Sequence, residues 1–283
     1  MTLRLLFLLL SSLAAASASA QSMVNVPSLD QRDGSALSLP AYWFAAERGA
    51  DEGPRPAVVL LHGCGGPLDT KDRLSQRLTA YAKLFNAEGW HALAVDSLTP
   101  RGEKELCTQR TGTRRVTQAN RRLDALGALQ WLASQPGVDG KRLALLGWSN
   151  GGSTVLAANN RLHRDVARAA VTPRAAVAFY PGCETELARR YAAAGSTLLL
   201  VGEKDDWTPA APCVELAAVP GSGMKVIVYP DAYHGFDGSA PLRVRTDVPN
   251  GARPGQGVTV GGNPAAREAS RLELLAFLRE QLR

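Results

Sequence analysis

The chain is expected to form a doubly wound α/β fold, a mostly parallel sheet flanked by helices. Two observations carry that expectation. Short, uninterrupted apolar runs recur at 57–61, 90–95, 142–146, 175–179, 197–201 and 225–229. Runs this short, without polar alternation, suit strands buried on both faces. Helical spacing of apolar residues fills several of the intervals, giving the strand–helix alternation of a parallel sheet. With 283 residues, 45% hydrophobic and 20% charged, the chain suits one sizeable domain, taken as residues 21–283.

The first twenty residues read as a signal peptide. Arg4 supplies the positive charge, residues 5–10 an apolar core, and Ala18-Ser19-Ala20 an A-x-A cleavage site. The apolar core is too short to span a bilayer. Cleavage after Ala20 and export to the periplasm or medium are expected, with no membrane association afterwards. Four cysteines in an exported chain read as disulfides rather than free thiols. The formal charge of +6 is spread over scattered arginines, including the pairs Arg114-Arg115, Arg121-Arg122 and Arg189-Arg190. No aromatic residues interleave with them, so a solvated surface is expected and not a nucleic-acid face.

Taken in order, residues 37–43 form an early strand, and 47–56 a polar turn. The buried strand 57–61 runs into His62-Gly63-Cys64-Gly65-Gly66, a glycine-rich loop with exposed backbone N–H groups. His62 is read as a buried structural imidazole. Residues 74–88 are helical, and strand 90–95 leads to a Pro/Gly loop containing Asp96 and Arg101. Residues 116–134 form a helix with Leu123, Leu126, Leu129 and Trp131 as apolar positions. After strand 175–179 comes Cys183. After strand 197–201 comes Gly202-Glu203-Lys204-Asp205-Asp206-Trp207-Thr208-Pro209, with Pro209 expected to open the next helix. Strand 225–229 ends at the turn bearing His234. Residues 237–263 are a long Gly/Pro-rich segment, of the kind that is functional or mobile. An amphipathic helix, 265–282, closes the chain.

The chemistry centres on Gly147-Trp148-Ser149-Asn150-Gly151, a G-x-S-x-G pattern between strand 142–146 and a helix beginning near Gly152. A serine at the tip of so sharp a turn needs glycines two positions either side, because side chains there would collide. The helix amides beyond it favour a developing oxyanion. A triad acid belongs in the loop after a late strand, where Asp205 and Asp206 compete. Asp205 is preferred, lying three residues after Gly202 and four before Pro209. Of the four histidines, only His234 follows the last strand, the place of a general base. Ser149, Asp205 and His234 then stand in the order nucleophile, acid, histidine. Asn150, with Gly63 or Cys64, would supply the oxyanion amides. No metal-ligand spacing or phosphate-cradling loop is visible, so no cofactor is implied. Trp148 and Trp207 flank the nucleophile and acid as candidate apolar walls, with a core role equally open for Trp148. Arg101 is weighed as an anion contact against a structural arginine, the latter preferred.

Together LLHGCGG, VDSLTPRG, GWSNGG, GEKDDWTPAAPC and YPDAYHGF resemble the dienelactone hydrolase family of α/β-hydrolases, over residue 37 to the C-terminal helix. The resemblance implies an α/β-hydrolase fold, the triad Ser149, Asp205 and His234, and a small-molecule ester or lactone as substrate. The best-known members use cysteine where this chain has Ser149, so general carboxylic-ester hydrolysis through an acyl-enzyme is the expectation. The strand order of that fold also implies disulfides Cys64–Cys107 and Cys183–Cys213, each joining loops that leave neighbouring strands. Alternatives are a peptidase or amidase on the same fold, and a non-catalytic exported binding protein.

Overall fold

The computed structural model describes residues 21–32, 34–47 and 53–283. The expected signal peptide and part of the 47–56 turn lie outside the described residues. The elements are β1 (Gln21–Arg32), β2 (Ser35–Phe44), β3 (Arg55–Leu61), α1 (Gln76–Ala87), β4 (His91–Val95), α2 (Gln118–Ala133), β5 (Val138–Trp148), α3 (Asn150–Asn159), α4 (Arg164–Ala167), β6 (Ala175–Phe179), α5 (Glu184–Arg189), β7 (Ser196–Gly202), α6 (Ala211–Ala218), β8 (Met224–Tyr229), β9 (Arg243–Arg245), β10 (Val258–Val260) and α7 (Pro264–Gln281). Eight strands form one sheet in the order β1-β2-β4-β3-β5-β6-β7-β8. β1–β2 and β2–β4 are antiparallel, and every pair from β4 through β8 is parallel. This is the expected α/β-hydrolase architecture.

The apolar runs are buried because both sheet faces are covered. Alternate side chains of one strand enter opposite layers. Val59, Leu61 and Leu145 pack with Leu129 of α2 and Leu156 of α3. Val58, Leu60 and Leu146 pack with Phe85 of α1 and Leu274 and Leu278 of α7. Helix starts follow local chemistry: Ser75 caps α1, Thr117 and Asn120 form a reciprocal capping box on α2, and Asn263 caps α7.

Three expectations change. β1 is an additional strand; its sequence carries Pro27 and alternates only weakly, as an edge strand paired with β2 alone tolerates. Pro209 does not open the helix after β7: that helix begins at Ala211, and Pro212 occupies its first turn, where a missing N–H costs nothing. Residues 237–263 contain the antiparallel ribbon β9–β10, packed beside the last loops of the sheet.

Both disulfides form as paired above. Cys64–Cys107 and Cys183–Cys213 have Cα separations of 5.0 and 5.1 Å. No helix among the described residues is long and apolar enough to cross a membrane. Replacing Cys183 and Cys213 together by serine should lower unfolding stability by about 3 kcal/mol, the scale for closing a loop of this length. Urea denaturation of oxidised wild type against the double variant measures it, and equal midpoints would show the bridge to be energetically idle.

Candidate active site

The site sits at the carboxyl edge of the parallel strands, where chain ends and helix starts converge. β5 ends at Trp148, and α3 begins at Asn150, so Ser149 must reverse the chain alone. Its backbone has φ +54° and ψ −119°, a strained conformation for a residue with a side chain. A Cβ at Gly147 would lie 2.3 Å from the Gly151 carbonyl oxygen, and one at Gly151 would lie 2.0 Å from the Leu61 carbonyl oxygen. The two glycines therefore let the elbow close and let α3 lie against the end of β3.

His234, in the loop after β8, is reached from two sides. Its Nε2 lies 2.9 Å from Ser149 Oγ, and its Nδ1 lies 2.8 Å from Asp205 Oδ2. Asp205 is itself fixed. Its Oδ1 accepts from the N–H groups of Trp207 and Thr208 at 2.9 and 2.8 Å, and its Oδ2 accepts from Thr208 Oγ1 at 3.0 Å. Asp205 and His234 are both 5% exposed, so little water competes for these bonds.

The loop after β3 faces the elbow. Gly63 lies against the backbone of Trp148 and the Cβ of Ser149. The amides of Gly63, Cys64 and Asn150 donate to no acceptor among the described residues. The loop is clamped from behind. Arg121 Nη2 donates to the His62 carbonyl at 2.7 Å. His62 Nδ1 donates to the Gly63 carbonyl at 2.7 Å, and Gly66 N–H donates to the same carbonyl at 3.3 Å. Burial, with the charge of Arg121, holds the His62 pKa well below its usual value. His62 is thus a neutral, structural imidazole.

These residues open onto a cavity of about 670 Å³. With the elbow geometry in view, the comparisons with known proteins can be set beside it. The dienelactone hydrolase family model matches residues 41–282. The chain belongs to the dienelactone hydrolase family. It is 31% identical over 210 residues to the ethyl acetate hydrolase of Pseudomonas putida, a match covering 70% of this chain and 57% of that protein. The chain thus spans just over half the length of that curated relative. It resembles a dienelactone hydrolase-like promiscuous phosphotriesterase from metagenomic libraries, with TM-score 0.62, 21% identity, and 93% and 100% of the two chains covered. It also resembles the dienelactone hydrolase of Anabaena variabilis, with TM-score 0.58, 22% identity, and 76% and 88% covered.

Within this family member, the structure separates the two competing aspartates. Asp206 faces away from His234 and accepts from Thr259 N–H at 2.7 Å and Thr259 Oγ1 at 2.9 Å, tying β10 to the acid loop. Trp207 lines the cavity beside the His234 ring, with ring centroids 4.7 Å apart. Trp148 is core, 1% exposed, its indole N–H bound to Asp237 at 3.0 Å. Arg101 does not line the cavity. It is bound by Asp124 through two hydrogen bonds, at 2.8 and 2.9 Å, and by Asp30 at 2.7 Å. The structural reading of Arg101 therefore stands and the anion contact is discarded.

Sequence reasoning missed Asp237. This fully buried carboxylate accepts from Tyr180 Oη at 2.6 Å, Trp148 Nε1 at 3.0 Å, Tyr81 Oη at 3.1 Å and Arg77 Nε at 3.2 Å. It joins α1, the elbow strand and β6 to the loop of His234. Burial, aided by the Asp237 charge, raises the pKa of both phenols well above their usual value, so they remain donors. Its signal was a carboxylate three residues after the histidine, next to a phenylalanine. It was overlooked because it heads the Gly/Pro-rich segment.

Asp205→Asn should reduce turnover by orders of magnitude, since it removes the acceptor that fixes the His234 tautomer. Asp206→Asn should act mainly on KM, by loosening β10. Steady-state kinetics of the two variants check this, and the reverse ranking would reassign the acid.

Proposed function

We propose that this chain is an exported, single-domain serine hydrolase that cleaves carboxylic esters or lactones through an acyl-enzyme. One observation carries the reading: a continuous relay from Ser149 Oγ through His234 to Asp205, with links of 2.9 and 2.8 Å, at the edge of a cavity. In this mechanism His234 Nε2 takes the Ser149 proton as Oγ attacks the carbonyl carbon. Asp205 stabilises the resulting imidazolium and fixes its orientation. The amides of Asn150 and of Gly63 or Cys64, which have no acceptor among the described residues, donate to the oxyanion. His234 then passes its proton to the departing alcohol, and water, activated by the same imidazole, releases the acid. The strained elbow supports this role, because it holds Oγ clear of its own backbone. The two disulfides support export.

The cavity wall suggests the kind of ester. It is lined by Arg77, Arg243, Arg245, Arg267 and Arg271, against Asp237 as its acid. Arg77 is committed to Asp237, and Arg245 to Asp247. Arg243 and Arg271 form no ion pair among the described residues. Esters carrying a negative charge remote from the scissile bond would find these cations, and the low-dielectric walls would focus their field.

Ser149→Ala and His234→Ala should each abolish ester hydrolysis in a folded protein, because the triad acts as a unit. In a screen of esters, lactones and amides of graded size, hemiesters of dicarboxylic acids should outperform their neutral diesters. Arg243→Gln with Arg271→Gln should narrow that preference roughly 2- to 5-fold per arginine at low salt, the scale of exposed charge pairs. Wild-type turnover by Ser149→Ala would overturn the mechanism. An unchanged preference in the arginine variants would remove the anion selectivity alone.

A further inference from the structure

Arg121 is a buried titratable group with no part in the proton transfers proposed for Ser149, His234 and Asp205. It is 1% exposed, on the first turn of α2, and it forms no ion pair among the described residues. Its charged neighbours are Asp124 and Asp96, but Asp124 is bound by Arg101 and Ser28, and Asp96 accepts from the Leu98 and Thr99 amides. The hydrogen-bond partners of Arg121 are neutral: the His62 carbonyl at 2.7 Å and Asn150 Oδ1 at 2.5 Å. Its Nε has no hydrogen-bond partner among the described residues. Burying a cation with only neutral acceptors is costly, several kcal/mol by any ordinary reckoning. Burial lowers its pKa to about 10, so it stays charged at neutral pH.

The two acceptors are informative. In a trans peptide the C=O and N–H point in opposite directions. Holding the His62 carbonyl from behind therefore aims the Gly63 N–H away from Arg121. Asn150, the other acceptor, carries the first amide of α3. Gln118, one helical turn before Arg121, donates to the Asn150 carbonyl at 3.1 Å. One face of α2 thus grips both halves of the oxyanion site, which are otherwise contributed by different strands.

We propose that Arg121 is a positioning residue of the oxyanion hole, bridging the His62 carbonyl and the Asn150 side chain so that the donor amides in the loop after β3 and at the start of α3 keep one fixed separation. The proposal rests on the serine-hydrolase reading. The cation also stands behind both donors, where it adds to their positive potential as charge develops on the substrate oxygen. Its contribution is then specific to the tetrahedral state and small for the bound ester.

The test uses the full-length protein, a chromogenic acetate ester and phenylboronic acid, whose adduct with the serine is tetrahedral. Arg121→Gln and Arg121→Lys should lower kcat roughly 10- to 100-fold, below the full loss of an oxyanion donor. KM should stay within about 2-fold, and boronate affinity should fall in parallel with kcat. Asn150→Ala keeps the backbone amide but removes the side-chain anchor; it should show part of the same loss, less than additively with Arg121→Lys. Arg101→Lys disturbs the neighbouring ion cluster without touching the elbow, so it should lower Tm while leaving kcat unchanged. If Arg121→Gln does not fold, Arg121→Lys and Asn150→Ala decide the matter alone. The proposal is overturned by unchanged kcat in the Arg121 and Asn150 variants, by unchanged boronate affinity, or by equal kcat loss in Arg101→Lys at matched Tm. Ser149→Ala separates the two levels. Turnover retained there overturns the hydrolase reading itself, whereas loss there beside an unaffected Arg121→Gln overturns only the positioning role.

Discussion

The tight reversal at Ser149 is the constraint on which the site depends. A side chain at φ +54° is costly, on the order of 1–3 kcal/mol, and persists only where neighbours over-determine it. Here they do so from three directions. Ser149 N–H donates to the Phe179 carbonyl at 2.9 Å, and the Ser149 carbonyl accepts from Ser153 N–H at 2.9 Å. Gly151 is pressed against the carbonyls of Leu61 and His62, and Gly152 against that of Phe179. The elbow therefore touches the ends of β3 and β6 at once, and the parallel register of β3, β5 and β6 decides where Oγ points.

Around that fixed point, buried polar groups perform the joining that apolar packing cannot. Leucines and valines define which faces meet, but they do not set angles between loops. Asp237 does so on one side, taking four donors from elements far apart in sequence, and Arg121 does so on the other. Asp237 is held inside the protein with its acceptor capacity filled by four donors, whereas Arg121 is held by two neutral acceptors and leaves its Nε without a partner among the described residues. The Cys64–Cys107 bridge adds a covalent limit, holding the loop after β3 to the segment ahead of α2, where the Leu106 N–H also donates to the Cys64 carbonyl at 2.7 Å.

Much of this was legible in the sequence, and the reason is local. The elbow, the aspartate loop and the histidine turn are short patterns whose glycines and prolines dictate backbone shape, so the residues that the fold brings together could be read from residue type and spacing. The parallel strands were readable because burial on both faces leaves no polar alternation. What escaped depends on contacts distant in the chain. β1 is an edge strand whose identity comes from pairing with β2. Arg101 and Arg121 are both arginines near an acid on α2, yet one is enclosed by carboxylates and the other by neutral acceptors. Nothing in their immediate sequence separates them. The cavity-lining arginines escaped for the same reason, since β9 and α7 reach the cavity only after the long segment folds back.

The neighbouring acids Asp205 and Asp206 show how such a segment can be coupled to the chemistry. Their carboxylates face opposite sides of one loop. One is directed to His234, and the other to Thr259 on β10, while the Asp206 carbonyl accepts from Ala252 N–H at 2.8 Å. On the histidine side, Gly261 N–H donates to the His234 carbonyl at 3.0 Å, and Asn263 N–H to that of Phe236 at 3.0 Å. The long segment is thus fastened to both loops that carry the relay. Any shift of the ribbon strains the loop bearing Asp205 and the loop bearing His234 together. Arg245 lies 5.5 Å from the Trp207 ring, which in turn packs on His234, so two contacts link the ribbon to the imidazole. The ribbon and the Ser149–His234–Asp205 hydrogen bonds are therefore fastened through the same few residues, and the two acids that compete in the sequence are the place where they join.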